Sequence, residues 1–135
     1  MKPKAVIDTN VFVSGIFFSG PPSRILRAWV DEEIQIAVSE EIIEEYRRVI
    51  DALSDRLRQV DIDSIFELLM IEAELVRSYS LGQSVCRDPD DDKFLACAVA
   101  SKSRYIISGD RHLLEIGEYL NTVIVKPRYF VDNIL

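Results

Sequence analysis

The sequence predicts an α/β fold, a three-layer α/β/α sandwich built on a mainly parallel central sheet. Two observations carry that expectation. Short apolar runs of strand length recur at 4–7, 34–38, 104–107 and 122–125, the pattern of strands buried on both faces. Between them lie stretches with apolar residues at helical spacing, so strands and helices alternate as they do around a parallel sheet.

The first run, Lys4-Ala5-Val6-Ile7, ends abruptly at Asp8-Thr9-Asn10, which puts Asp8 at a strand's carboxyl end. A helix and a helical segment are expected before the second strand. Ser19-Gly20-Pro21-Pro22 is a loop leading into one of them: Pro22 suits the first turn, and Ile25, Leu26, Trp29 and Val30 follow at helical spacing. Ile34 to Val38 reads as the second strand. Ser39 is a good N-cap, and Glu40 and Glu41 suit the positive end of a helix reaching about Leu53. On that helix Ile42, Ile43, Tyr46, Val49 and Ile50 form one stripe, opposite Glu44 and Arg48. Glu45 falls at the stripe's edge, where a side chain can lean over the core margin into a cleft. Glu41 and Glu44 read as solvated.

A further helix is expected from about Asp61 to Ala73, with Ile62, Ile65, Phe66, Leu69 and Met70 on its apolar side, and a connection over residues 80–88. Asp88 and Pro89 suit the N-cap and first position of the next helix. Its body, Phe94 to Ala100, is so apolar that it should be central and buried. Arg104 to Ile107 reads as a strand ending at Ser108-Gly109-Asp110, Thr122 to Val125 as another, and Tyr129 to Ile134 as a short last helix.

With 135 residues, 48% hydrophobic and 29% charged, the chain reads as one domain over 1–135. It lacks an apolar run long enough to span a membrane, and Met1-Lys2-Pro3-Lys4 leads into an apolar run too short for a secretory signal; a cytoplasmic protein is expected. Cys86 and Cys97 are not paired in a C-x-x-C motif, which argues against structural zinc, and Cys97 reads as a buried, inert thiol. The formal net charge of −7 argues against binding nucleic acid through a broad basic face. It leaves room for a nuclease whose acids are gathered around divalent ions, and for a basic protein partner.

In open α/β sheets, ligands gather beyond the carboxyl ends of the strands, where Asp8 and Asp110 are expected. Glu45 and the acids of Asp88-Pro89-Asp90-Asp91-Asp92 begin helices near the same rim. Carboxylates converging there would repel one another unless cations lie between them, and hard oxygen ligands favour Mg²⁺ or Mn²⁺. Such ions can activate water against a phosphodiester. The residues alone do not choose among Asp88, Asp90, Asp91 and Asp92. Acids in a first helical turn are accounted for by the macrodipole, the reading given to Asp90 and Asp91.

The set Val6-Ile7-Asp8-Thr9-Asn10-Val11, Ser39 to Glu45-Tyr46, Asp88 to Asp92-Lys93-Phe94-Leu95-Ala96 and Ile106-Ile107-Ser108-Gly109-Asp110 resembles the PIN domain. It is most similar to the bacterial and archaeal members classed as toxins of toxin–antitoxin pairs, relatives of the VapC type, and the resemblance runs over about residues 4–127. It implies a metal-dependent endoribonuclease that cleaves RNA with metal-activated water, using Mg²⁺ or Mn²⁺. It further implies that Asp8, Glu45, Asp92 and Asp110 are the catalytic and metal-binding acids. Thr9 or Asn10 would orient Asp8 or contact phosphate, and Ser108 stands where the family usually has Thr, keeping the hydroxyl. Some members have a further acid shortly after the last Asp; here Arg111-His112-Leu113 follows. The implied partners are an RNA substrate and an antitoxin protein, and the resemblance together with Trp29 and Val30 leans toward a homodimer.

Several residues carry ordinary readings beside these. His112 is a lone histidine in a polar loop, unneeded as a base where metal-bound water supplies the nucleophile. Lys93, Arg104, Arg111, Lys126 and Arg128 are candidates for phosphate contact or for plain solvation. Trp29 reads as core or subunit interface rather than a base-stacking platform. Two other functions compete: a catalytically silent PIN-like binding module, and a haloacid-dehalogenase-type phosphatase. The latter wants a second Asp two residues after the first, where this chain has Asn10.

Overall fold

The computed structural model describes residues 2–54 and 61–135. Strand β1 (Lys4–Ile7) is followed by helices α1 (Thr9–Phe17) and α2 (Pro21–Val30), then β2 (Gln35–Val38) and α3 (Glu40–Ser54). Next come α4 (Ile62–Glu72), β3 (Glu74–Leu75), a 3-10 turn (Pro89–Asp91) and α5 (Asp92–Ser101). The chain ends with β4 (Tyr105–Ile107), α6 (Arg111–Leu114), β5 (Glu118–Tyr119), β6 (Thr122–Val125) and α7 (Pro127–Asn133).

The sheet order is β3-β2-β1-β4-β6-β5, parallel throughout except for β5 against β6. This is the α/β sandwich with a mainly parallel sheet that the alternating pattern predicts. Its inner strands are as apolar as burial on both faces requires: Ala5, Val6, Ile7, Ile36, Ala37, Val38, Ile106 and Ile107 are buried. Strands β3 and β5 have no counterpart among the expected strands. Each has two residues and lies at an edge, so neither has an apolar run to announce it.

Helix α3 buries Ile42, Tyr46 and Ile50 as the stripe requires. Tyr46 stacks on Phe12 of α1 with centroids 4.1 Å apart, and its hydroxyl donates to the Ile7 carbonyl, tying α3 to the end of β1. Helix α5 packs across β1, β2 and β4 through Phe94, Leu95, Cys97 and Ala98, all buried. Its burial is one-sided, because Val99 and Ala100 near its carboxyl end reach the surface. Trp29 belongs to the core, whereas Val30 is 57% exposed, so only the second of these two residues is open to a partner. None of the described helices is long and apolar enough to cross a membrane.

Candidate metal centre

Strand β1 has β2 on one side and β4 on the other. The chain leaves β1 toward one edge of the sheet and later returns to build the other half from β4. The gap beyond the carboxyl ends of β1 and β4 is therefore a topological switch point, where neighbouring connections run apart and leave a crevice. Ile7 and Ile107 are partners in register, and the Asp8 amide continues the ladder by donating to the Ile107 carbonyl at 3.0 Å. Asp8 and Ser108 thus enter the crevice side by side.

Asp8 is 4% exposed. Its Oδ1 accepts the Val11 N–H at 3.0 Å, making it the N-cap of α1, and its Oδ2 accepts the Ser108 hydroxyl proton. Burial pushes its pKa up, and the negative charge of Asp110 adds to that; the Ser108 and Val11 hydrogen bonds work against it without cancelling it. Ser108 links both strand ends, since its Oγ also accepts the Asp110 N–H at 2.9 Å. Asp110 repeats the capping device: its Oδ1 accepts the His112 N–H at 2.8 Å and caps α6. One oxygen of each acid caps a helix, and the second oxygen of Asp8 takes the Ser108 hydroxyl proton, which fixes where the carboxylates stand.

The acidic stretch before α5 divides over two environments. Asp91 points to the strand ends: its carboxyl is hydrogen-bonded to that of Asp110, and its pKa is pushed up to about 6 by burial, then by the charges of Asp110 and Asp88, with a smaller push from Asp8. Asp92 turns away. Its Oδ1 accepts the Cys86 N–H at 2.8 Å and the Val85 N–H at 3.3 Å, fastening the preceding loop, and it lines a separate hollow of about 450 Å³ with Asp90, Lys93 and Ser84. Burial raises its pKa, but these hydrogen bonds outweigh that and hold it below the usual carboxylate range. The structure therefore brings Asp8, Asp91 and Asp110 together and leaves Asp92 beside the loop. The macrodipole reading of Asp91 misses this position, although the sequence held a signal for it. On a wheel of ~100° per residue, Asp91 lies about 40° from the centre of the stripe formed by Phe94, Leu95, Cys97 and Ala98, and Asp92 about 140° away.

Glu45 reaches the core margin as expected, with 12% of its side chain exposed. Thr9 donates its hydroxyl proton to Oε2, and the Lys93 ammonium lies 2.5 Å from Oε1. Lys93 also reaches Asp90 at 3.2 Å. Burial lowers the Lys93 pKa, but the hydrogen bonds to Glu45 and Asp90 more than restore it, leaving it above its ordinary value. Thr9 thus positions Glu45 rather than Asp8. Asn10 is exposed and lines, with Ser14, Gly109, Asp110 and Pro127, a hollow of about 360 Å³ beside the acids. Of the cationic candidates, Lys93 is committed to this ion pair, while Arg104 donates to the Asn121 carbonyl.

The chemistry of this donor set fits a divalent cation. Three carboxyl groups face one crevice, Asp91 and Asp110 close enough for their charges and carboxyl groups to interact directly, and none has a neighbouring ammonium or guanidinium to balance it among the described residues. Like charges so placed are stabilised either by protonation or by a cation.

An α/β sheet with acids clustered at its switch point defines the class of α/β proteins whose ligand crevice is suited to a divalent cation. Within that class the sequence matches the PIN domain over residues 4–112, and the chain belongs to the PIN domain family. It is also similar to an uncharacterised protein of Methanocaldococcus jannaschii, with 32% identity over 98% of this chain and 92% of that protein. PIN domains are generally nucleases that act on nucleic acids and use divalent metals, so the family carries a nuclease-type fold and a hydrolytic character into this chain. Asp91 and Asp110, with His112 beside them, are where such a metal could bind.

Proposed function

We propose that this protein is a divalent-metal-dependent endoribonuclease that hydrolyses RNA phosphodiesters at the crevice beyond β1 and β4. The observation that carries the reading is the meeting of Asp8, Asp91 and Asp110 there, with Asp91 pushed up to about 6 by burial and then by the charges of its acidic neighbours. Asp8, Asp91 and Asp110 would hold the metal, Mg²⁺ or Mn²⁺, and Glu45 completes the acidic set behind them. When bound, the cation would supply activated water and neutralise charge on the scissile phosphate.

The chain's own residues do the positioning. Capping bonds hold Asp8 and Asp110, and Ser108 keeps the two in a fixed relation. Lys93 neutralises Glu45. Asn10, exposed at the rim, is suited to contact a phosphate oxygen. Asp92, the acid that the motif resemblance assigns, serves the reading as the anchor of the 84–86 loop. The choice of RNA, and a role as the toxin of a toxin–antitoxin pair with its antitoxin and homodimer, rest on the motif resemblance.

The test incubates purified protein with mixed single-stranded RNAs in Mn²⁺, Mg²⁺ or chelator. Cleavage that requires the ion and disappears in Asp8→Asn and Asp110→Asn is the expected result. Metal binding without RNA turnover would instead make the protein a binding module, and phosphate release from small monoesters without RNA cleavage would make it a phosphatase. A toxin role adds that induced expression slows growth and that Asp8→Asn removes the effect.

A further inference from the structure

Beside the acids stands a side chain of different chemistry. His112 is the only histidine in the chain and lies in the first turn of α6, immediately beyond Asp110. Each of Asp91, Asp110 and His112 offers a ligand atom, and the three atoms all lie within 4.8 Å of one another; His112 Nδ1 is 4.0 Å from Asp110 Oδ1. Around an octahedral ion with bonds of ~2.1 Å, adjacent ligands are about 3.0 Å apart and opposite ones about 4.2 Å, so the three close on one ion by side-chain movements of about 1–2 Å. The backbone under His112 is held: its N–H is bonded to the Asp110 carboxylate, the Leu114 N–H donates to the Asp110 carbonyl at 3.0 Å, and Leu113 is fully buried. The imidazole is half-buried beside the cluster, with Nδ1 its nitrogen nearest to Asp110 Oδ1.

We propose that His112 is a nitrogen ligand of the metal centre, so that the centre prefers a first-row transition ion such as Mn²⁺ over Mg²⁺. The inference rests on the reading of Asp91 and Asp110 as metal ligands. An all-oxygen set suits Mg²⁺, whose small, strongly hydrated ion gains little from an imidazole; Mn²⁺ and the later ions of the series accept nitrogen readily. Replacing one oxygen donor by an imidazole therefore separates the two ions in affinity without adding charge to a crevice already crowded with it.

The test measures metal binding directly, by calorimetric titration of the whole chain with Mn²⁺ and with Mg²⁺, and by the electron spin-echo modulation of bound Mn²⁺. Wild type should bind Mn²⁺ at least about 10-fold more tightly than Mg²⁺ and show ¹⁴N modulation from the imidazole. His112→Ala should lose about 10-fold or more in Mn²⁺ affinity, change Mg²⁺ affinity less than about 3-fold and abolish the nitrogen signal. His112→Asp should restore tight binding and shift the preference toward Mg²⁺. Circular dichroism of each variant verifies the fold. Absence of ¹⁴N modulation in wild type, or equal losses for both ions in His112→Ala, would overturn the assignment of His112 while RNA cleavage dependent on Asp8 and Asp110 still upheld the nuclease. A wild-type chain that binds neither ion would sink both.

Discussion

Asp91 and Asp92 are neighbours in the chain with opposite electrostatic fates, and this separates them experimentally. Asp91 is crowded by Asp110 and Asp8, whereas Asp92 is satisfied by backbone N–H groups. Asp91→Asn should lower metal affinity and RNA cleavage by more than about 100-fold, since even residues that only support a ligand contribute 10- to 100-fold. Asp92→Asn should leave both within about 3-fold while costing about 1 kcal/mol of stability, as a charged acceptor of two amide protons becomes a neutral one. Parallel titrations and thermal melts of the two variants check this, and equal losses of metal binding would refute it. The same residue sets a pH dependence. Its pKa rises from 3.8 in the unfolded chain to about 6 in the folded one, so the folded state holds the proton more tightly through that window. In chelator, stability should therefore fall as pH rises from about 4 to about 6 through this group, and Asp91→Asn should flatten that part of the curve. Melting temperatures across the range read it out. Because the proton competes for the same carboxylate, metal affinity should weaken as pH drops below about 6.

At the scale of elements, the strand ends and helix starts build the centre together. Asp8 and Asp110 are at once the last residue beyond a strand and the cap of the next helix, so helix formation in α1 and α6 aims the carboxylates. Helix α1 is in turn seated on α2 by a close approach at Gly15. A Cβ there would meet Leu26 Cδ1 at 2.7 Å and the Pro22 carbonyl oxygen at 2.8 Å. Gly15→Ala gains helix propensity, roughly 1 kcal/mol, but overpacking costs about 1–3 kcal/mol. A net loss of up to about 2 kcal/mol follows, with a Tm lower by up to several degrees in circular dichroism; a variant that melts higher would contradict the packing account. The expected elements recur along the chain because apolar spacing and caps are local: β1 over Lys4–Ile7 and β6 over Thr122–Val125 fall on their expected runs, and α2 begins at its prolines. The two-residue edge strands β3 and β5 were not legible, since their pairing is supplied wholly by β2 and β6.

The whole molecule carries a formal charge of −7 and concentrates part of it at the crevice. RNA that binds through a few contacts and a bound cation, rather than through a basic face, should show a shallow dependence on monovalent salt. Between 50 and 200 mM the affinity of Asp8→Asn protein for RNA, in the presence of Mn²⁺, should change by less than about 10-fold, against roughly 10³–10⁵ for proteins that neutralise 6–10 phosphates. Fluorescence anisotropy measures the slope, and a steep one would reveal a basic surface that the net charge conceals.

Sequence by itself determined the alternation of strands and helices, the strand-end placement of Asp8 and Asp110, and the exposure of Glu44 against the partial burial of Glu45. Each of these depends on spacing and local backbone preference within a few residues. Tertiary structure decided which acid of the Asp88–Asp92 stretch faces the strand ends, that Lys93 and Thr9 hold Glu45, and that His112 stands beside Asp91 and Asp110. Those relations join residues far apart in the chain, and their electrostatics depend on burial and on through-space charges that exist only once β1 and β4 lie side by side.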